Sequence, residues 1–151
     1  MPDEMDMASV ELGALSNLMG YHLRRASGAF AADFSRALEG TEIRQVLFGI
    51  LSVVAANPGI NQGAVGRNLG IQRANMVALI NELVDRDLVE RRVAPEDRRA
   101  FALTLSPAGA SMLAQCLARI RVHEEEMLAD LDQADRARLI GLLTRIEARE
   151  R

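Results

Sequence analysis

Residues 69–105 read LGIQRANMVALINELVDRDLVERRVAPEDRRAFALTL, and the fold follows from them. One helix ends at Leu69-Gly70, because glycine takes the left-handed backbone of a helix stop. A second helix runs from about Gln72 to Arg86, with Met76, Val77, Leu79, Ile80, Leu83 and Val84 as its apolar positions. Two extended segments follow, Leu88–Val93 and Ala100–Leu105, rich in strand formers. Pro95 and Asp97 suit the turn between them. Upstream, Asn57-Pro58-Gly59 is a stop and Asn61 caps the short helix that reaches Gly70. Two short helices joined by a tight glycine turn make a helix-turn-helix, and the hairpin behind it carries arginines at its tip.

Working outward, residues 12–38 read as one long helix. Leu12, Leu15, Leu18, Met19, His22, Leu23, Ala26, Phe30, Phe34, Ala37 and Leu38 recur at helical spacing, and Gly40 closes the run. Thr41 is placed to cap the next helix, which presents Ile43, Val46, Leu47, Ile50, Leu51 and Val54. On the other side Ser106-Pro107 starts a long helix to about Leu131. Asp132 caps a last helix with the stripe Leu139, Ile140, Leu142, Leu143 and Ile146. The order is helix, helix, short helix, helix, hairpin, helix, helix.

The chain has 151 residues, enough for one domain, and 49% hydrophobic with 26% charged residues excludes disorder. The single cysteine, Cys116, forms no internal disulfide, and no apolar run is long enough to span a membrane. The N-terminus is acidic rather than signal-like, so a cytoplasmic location is expected. All 18 basic residues are arginines, yet the net charge is −3, and only residues 60–105 are not net acidic. Charge alone therefore does not argue for nucleic acid. Enzyme chemistry finds no support. His22 and His123 are not at zinc-ligand spacing, no glycine motif cradles phosphate, and Glu124-Glu125-Glu126 spreads its charges around a helix. No cofactor and no metal is expected. His123 beside that triplet reads as a solvated face.

An arginine-tipped hairpin directly after a helix-turn-helix, flanked by long helices, resembles the multiple-antibiotic-resistance regulator (MarR) family of bacterial transcription factors. Three stretches carry the likeness: Asn57-Pro58-Gly59-Ile60-Asn61-Gln62, then Leu69-Gly70-Ile71, then Leu83 through Arg91. The most specific is Asp97-Arg98-Arg99-Ala100-Phe101-Ala102-Leu103-Thr104-Leu105-Ser106-Pro107-Ala108-Gly109, which is similar to the family's wing signature. Three residues depart from the pattern. Asp87 stands at a usual glycine, Glu82 at an often basic position, and Gly66 at a usual alanine, where it should weaken the short helix.

The resemblance implies a mainly α fold with a small β-hairpin wing, a winged helix-turn-helix with long N- and C-terminal dimerisation helices. Residues 1–40 and 106–151 would form the helical dimerisation region and 41–105 the DNA-binding lobe. The protein would be a homodimeric repressor of catabolic or efflux genes. It would bind a near-palindromic operator in double-stranded DNA and be released by a small aromatic acid or its CoA thioester. Base contacts are expected from Gln72, Arg73, Asn75 and Met76 at the start of the recognition helix, since such helices read from that end. Asn61, Gln62 and Arg67 are candidates for phosphate. Arg98 and Arg99 sit at the wing tip, with Asp97 orienting one of them. Arg91 is a further DNA candidate, and Arg91 and Arg92 should not both reach DNA, because neighbours on a strand face opposite ways; the inward one should pair with an acid. Tyr21, His22, Arg25, Arg44 and Phe48 offer the rings and cations an aromatic acid would need, and Arg119 is a lesser candidate.

Two other readings remain open. Cys116 would make a redox-sensing regulator if activated, although Met112, Leu113, Leu117 and Ile120 around it favour a buried inert thiol. The chain would otherwise be a helical interaction dimer without DNA.

Overall fold

The computed structural model describes residues 10–94 and 97–150, and side chains outside 94–100. Gly13–Asn17 form a 3-10 turn, followed by α1 (Met19–Ala37), α2 (Gln45–Ala56), β1 (Ile60–Asn61), α3 (Gln62–Leu69) and α4 (Arg73–Asp85). Then come β2 (Val89–Ala94), β3 (Asp97–Leu105), α5 (Pro107–Met127) and α6 (Gln133–Glu147). The expected winged helix-turn-helix is present, between long helices.

The long helix expected over 12–38 is broken. Gly13 takes φ +59°, and Leu18 is extended at φ −95°, ψ 114°. The Ser16 hydroxyl donates to the Gly13 carbonyl at 2.8 Å, and His22 Nε2 lies 2.8 Å from the Ser16 carbonyl. Side chains thus satisfy backbone groups that a continuous helix would have used. Thr41 does not cap α2. Its hydroxyl donates to Leu38 O at 2.6 Å and accepts from Ile43 N at 3.1 Å, which ties the α1–α2 turn, and α2 starts later behind Arg44.

The other caps follow the sequence. Asn61 Oδ1, Ser106 Oγ and Asp132 Oδ1 accept from the backbone N–H of Ala64, Gly109 and Asp135 at 2.8, 2.9 and 2.8 Å. Gly70 is left-handed at φ +67°, and Asp87 holds φ +56° at the tight turn before β2. α5 stops at Met127, short of Leu131. Arg136 takes the carbonyls of Leu128 and Leu131 at 2.9 and 3.0 Å and pairs with Glu125 at 2.6 Å, which stabilises the turn into α6.

The sheet has three strands rather than two. β1 pairs antiparallel with β3 (Ile60 opposite Leu103), and β3 with β2 (Val89 opposite Leu105). This fastens the start of the helix-turn-helix to the wing. The core joins α2 (Leu47, Ile50, Leu51, Val54), Val65, α4 (Met76, Ile80, Leu83) and the strands (Val89, Leu103). Ala37 and Leu38 from the end of α1 and Cys116 and Ile120 from α5 belong to it as well. No residue of α6 is buried, and Leu139, Ile140, Leu142 and Ile146 are exposed, as are Leu12, Leu15, Leu18 and Met19 at the other terminus.

Gly66 is not the weak point the sequence suggested. It is buried, and an added Cβ would stand 2.8 Å from Met76 Cγ. The glycine lets α4 approach α3 with a long side chain at Met76.

Candidate nucleic-acid interface

Asn57 N–H groups close α2 on the carbonyls of Val53 and Val54, and the Gly59 turn and β1 lead into α3; Gly70 then turns the chain toward α4. The Ile71 N–H donates to the Gly66 carbonyl at 2.8 Å and closes that turn. Gln72 stands at the N-cap of α4 with no side-chain cap bond, and Gln72, Arg73 and Asn75 are all exposed. Met76 belongs elsewhere. At 1% exposure it packs into the core under Gly66 and cannot reach a base edge. A residue at helical spacing from Leu79, Ile80 and Leu83 faces inward, and that stripe outweighs its place near the helix start.

Arg67 is exposed on α3 and Gln62 is half-buried, while Asn61 has its side-chain oxygen committed to the cap of α3. Asp97, Arg98 and Arg99 lie on β3 by backbone, but their side chains fall outside the described residues. The two strand arginines behave differently from the expectation. Arg91 is exposed, on the sheet face that carries Leu103, and its partner is an amide rather than an acid: Nη1 donates to Asn81 Oδ1 at 2.7 Å. Arg92 stands on the opposite face, with Glu90 3.8 Å away.

Glu82, the unusual acid of the recognition helix, has a partner the sequence did not reveal. Arg44 Nη1 and Nη2 donate to Glu82 Oε1 and Oε2 at 2.9 and 3.1 Å, a two-pronged bond between α2 and α4. These hydrogen bonds hold the Glu82 carboxyl below its ordinary range and raise the Arg44 guanidinium. One turn on, Arg86 donates to the carbonyls of Glu42 and Thr41 at 2.9 and 3.2 Å. The C-terminal half of α4 is thereby strapped to the α1–α2 turn.

The five effector candidates are not brought together in one chain. Arg44 is engaged with Glu82. Phe48 meets Phe34 edge-on at 5.7 Å and joins α2 to α1. His22 and Arg25 are exposed, and Tyr21, half-buried, packs edge-on against His22 at 5.3 Å. One open cavity of about 590 Å³ lies between α2 and α4, lined by Val46, Ile71, Gln72, Asn75 and Leu79 among others. Another, of about 540 Å³, lies between the α1–α2 turn and α5, where Thr41, Met112 and Arg119 face it. None of the five lines either cavity. Arg119 also donates to the Glu39 carbonyl at 3.2 Å.

His123 is not a solvated face. Its Nδ1 lies 2.9 Å from Oδ1 of Asp33, which is only 7% exposed, so the pair bridges α5 and α1. Cys116 is buried, and that burial pushes its thiol above the ordinary range. Among the described residues no group of acids, histidines and cysteines could hold a metal, and no helix is long and apolar enough to cross a membrane.

The MarR family profile matches residues 48–100, which span α2 to the wing. A putative transcriptional regulatory protein for the hcr operon of Thauera aromatica is 34% identical over 146 residues, covering 96% of this chain and 88% of that one. This chain belongs to the MarR family of transcriptional regulators. Two solved structures of the transcriptional repressor CouR share its fold. The form bound to a 23-mer DNA duplex is 33% identical with a TM-score of 0.86, over 93% of this chain and 99% of that one. The form bound to p-coumaroyl-CoA is 32% identical with a TM-score of 0.78, over 95% of this chain and all of that one. MarR-family regulators bind DNA and answer to ligands, and in this chain Gln72, Arg73 and Asn75 stand exposed at the start of α4.

Proposed function

We propose that this regulator is a homodimeric repressor that leaves a near-palindromic operator when an aromatic acid, or its CoA thioester, binds. Exposed Gln72, Arg73 and Asn75 at the N-terminus of α4 carry the reading, because that end of a recognition helix meets base edges. Arg73 suits guanine, and Gln72 or Asn75 adenine. Arg67 and Gln62 take phosphate, and one of Arg98 and Arg99 reaches the minor groove. The second copy covers the apolar residues exposed on the 3-10 turn, the start of α1 and α6. Twofold symmetry then sets two half-sites about one helical turn apart.

A thioester is favoured over the free acid because the similar repressor CouR is solved with p-coumaroyl-CoA. His22 and Arg25 are exposed and Tyr21 is half-buried in one chain, where a dimer partner would complete their site. Release follows if the ligand favours a spacing of lobes that mismatches adjacent major grooves; equal affinity for both spacings would release nothing. The protein works in the cytoplasm and performs no catalysis, as the regulators it resembles suggest. Buried Cys116 argues against oxidant sensing.

The test is an electrophoretic shift on the intergenic region upstream of the gene, with a panel of aromatic acids and their CoA thioesters. Specific binding released by one compound is expected. Binding released only by peroxide would transfer the switch to Cys116, and no specific binding would remove the DNA role.

A further inference from the structure

Arg91 lies on β2 directly opposite Leu103 of β3. Strand alternation puts Arg91 on one face of the sheet with Leu103 and Phe101, and Leu103 lies in the core, so this is the face turned toward the helices. Arg91 nevertheless stays at the rim, where its guanidinium makes two contacts at once. One N–H donates to Asn81 Oδ1 of α4 at 2.7 Å, and the planar cation lies 5.3 Å from the centroid of Phe101 on β3. A single side chain therefore ties the recognition helix to both strands of the wing. Lysine has no planar face to stack while it donates sideways, so the geometry asks for arginine.

We propose that Arg91 is a positioning residue. It fixes the wing against α4 and so sets the spacing between the major-groove and minor-groove contacts that the protein accepts. The inference rests on the DNA-binding reading above and assigns Arg91 a role other than phosphate contact. The two roles differ in what removal of Asn81 does. A phosphate contact needs only the charge of Arg91, which Asn81→Ala leaves in place. A bracket needs both partners.

The experiment compares the unmodified protein with Asn81→Ala, Arg91→Ala and the double variant, on a duplex of its upstream region over a range of salt. A second duplex has one base pair inserted between the core of each half-site and its flank. Asn81→Ala should weaken binding roughly three- to tenfold with an unchanged salt slope. Arg91→Ala should lose a similar amount, and the double variant no more than either single one. In all three the discrimination against the inserted base pair should shrink. A neutral Asn81→Ala, with Arg91→Ala lowering the salt slope by about one, would make Arg91 a phosphate contact and overturn the proposal. Hydrogen exchange of the β2–β3 amides without DNA decides the bracket separately. Equal acceleration in both single variants supports it, and unchanged rates refute it, even where absent operator binding has sunk the DNA reading.

Discussion

Replacing Gly109 by alanine would put a Cβ 1.9 Å from the carbonyl oxygen of Leu88 and 2.8 Å from its carbonyl carbon, both backbone atoms. Cβ atoms do not come within 3.0 Å of such neighbours, so the first turn of α5 must retreat by roughly 1 Å or more. That retreat strains two bonds at the junction: Ser106 N–H to Leu88 O at 3.1 Å and Ser106 Oγ to Asp87 O at 2.5 Å. Each is worth about 1 kcal/mol, and forced overpacking adds about 1–3 kcal/mol. Alanine recovers about 1 kcal/mol of helix propensity. The net loss is about 3 kcal/mol, or about 6–12 °C in Tm for a chain of this size. Gly66→Ala is the comparison. Its Cβ meets Met76 Cγ at 2.8 Å and the Ile71 carbonyl at 3.1 Å, but a methionine side chain can turn away. Its cost and its propensity gain nearly cancel, within about 1 kcal/mol of the unmodified protein. Urea unfolding followed by circular dichroism measures both at one protein concentration, since association would shift the midpoint. Gly109→Ala within about 1 kcal/mol of the parent, or the two variants costing the same, would refute the reasoning.

Arg73→Ala should cost about 1–3 kcal/mol of operator affinity and relax base preference at one position, whereas Arg67→Ala should weaken all sequences alike and lower the salt slope by about one; binding to a set of single-base operator variants separates them. Arg44 holds the Glu82 carboxyl below its ordinary range, so the pair stabilises the fold above the usual glutamate pKa and loses that contribution as pH falls through the depressed value. As both side chains are partly exposed, the stability gap between the parent and Glu82→Gln should be about 0.2–1 kcal/mol at neutral pH and close below about pH 4. A gap that does not change with pH would contradict it. Cys116, buried with its thiol pushed up, should react with a thiol reagent at least about tenfold faster in urea than in the native protein. Peroxide should leave operator binding unchanged, and release that Cys116→Ser abolishes would revive the redox reading.

The helices, the caps at Asn61, Ser106 and Asp132, and the hairpin were legible because each depends on local spacing and turn chemistry. What was not legible depends on partners far along the chain. Arg44 and Glu82 are 38 residues apart, and His123 and Asp33 are 90 apart, so neither pair leaves a local pattern. The brief β1 pairing is two residues long and below any strand signal. Met76 stands near the start of the recognition helix, a position that suggests the groove, but its spacing from Ile80 and Leu83 places it inside. The break before α1 was hidden because apolar spacing continued across it while Gly13 and Ser16 turned the backbone. Phe101 comes beside Arg91 through the β2–β3 register and Asn81 through the packing of α4 on the sheet, neither of which leaves a local pattern.

The junction at Leu88 and Gly109 has a consequence for anyone who wants to cut this protein apart. The core under the recognition helix is completed by Ala37 and Leu38 before the lobe and by Cys116 and Ile120 after it. A fragment ending at Leu105 would forfeit the Ser106 bonds and remove Cys116 and Ile120 from the core. The DNA reader is not a detachable cartridge on a helical handle: any transplant into another regulator has to carry the opening turns of α5 with it, and a chimera spliced at the wing's last residue would arrive unfolded.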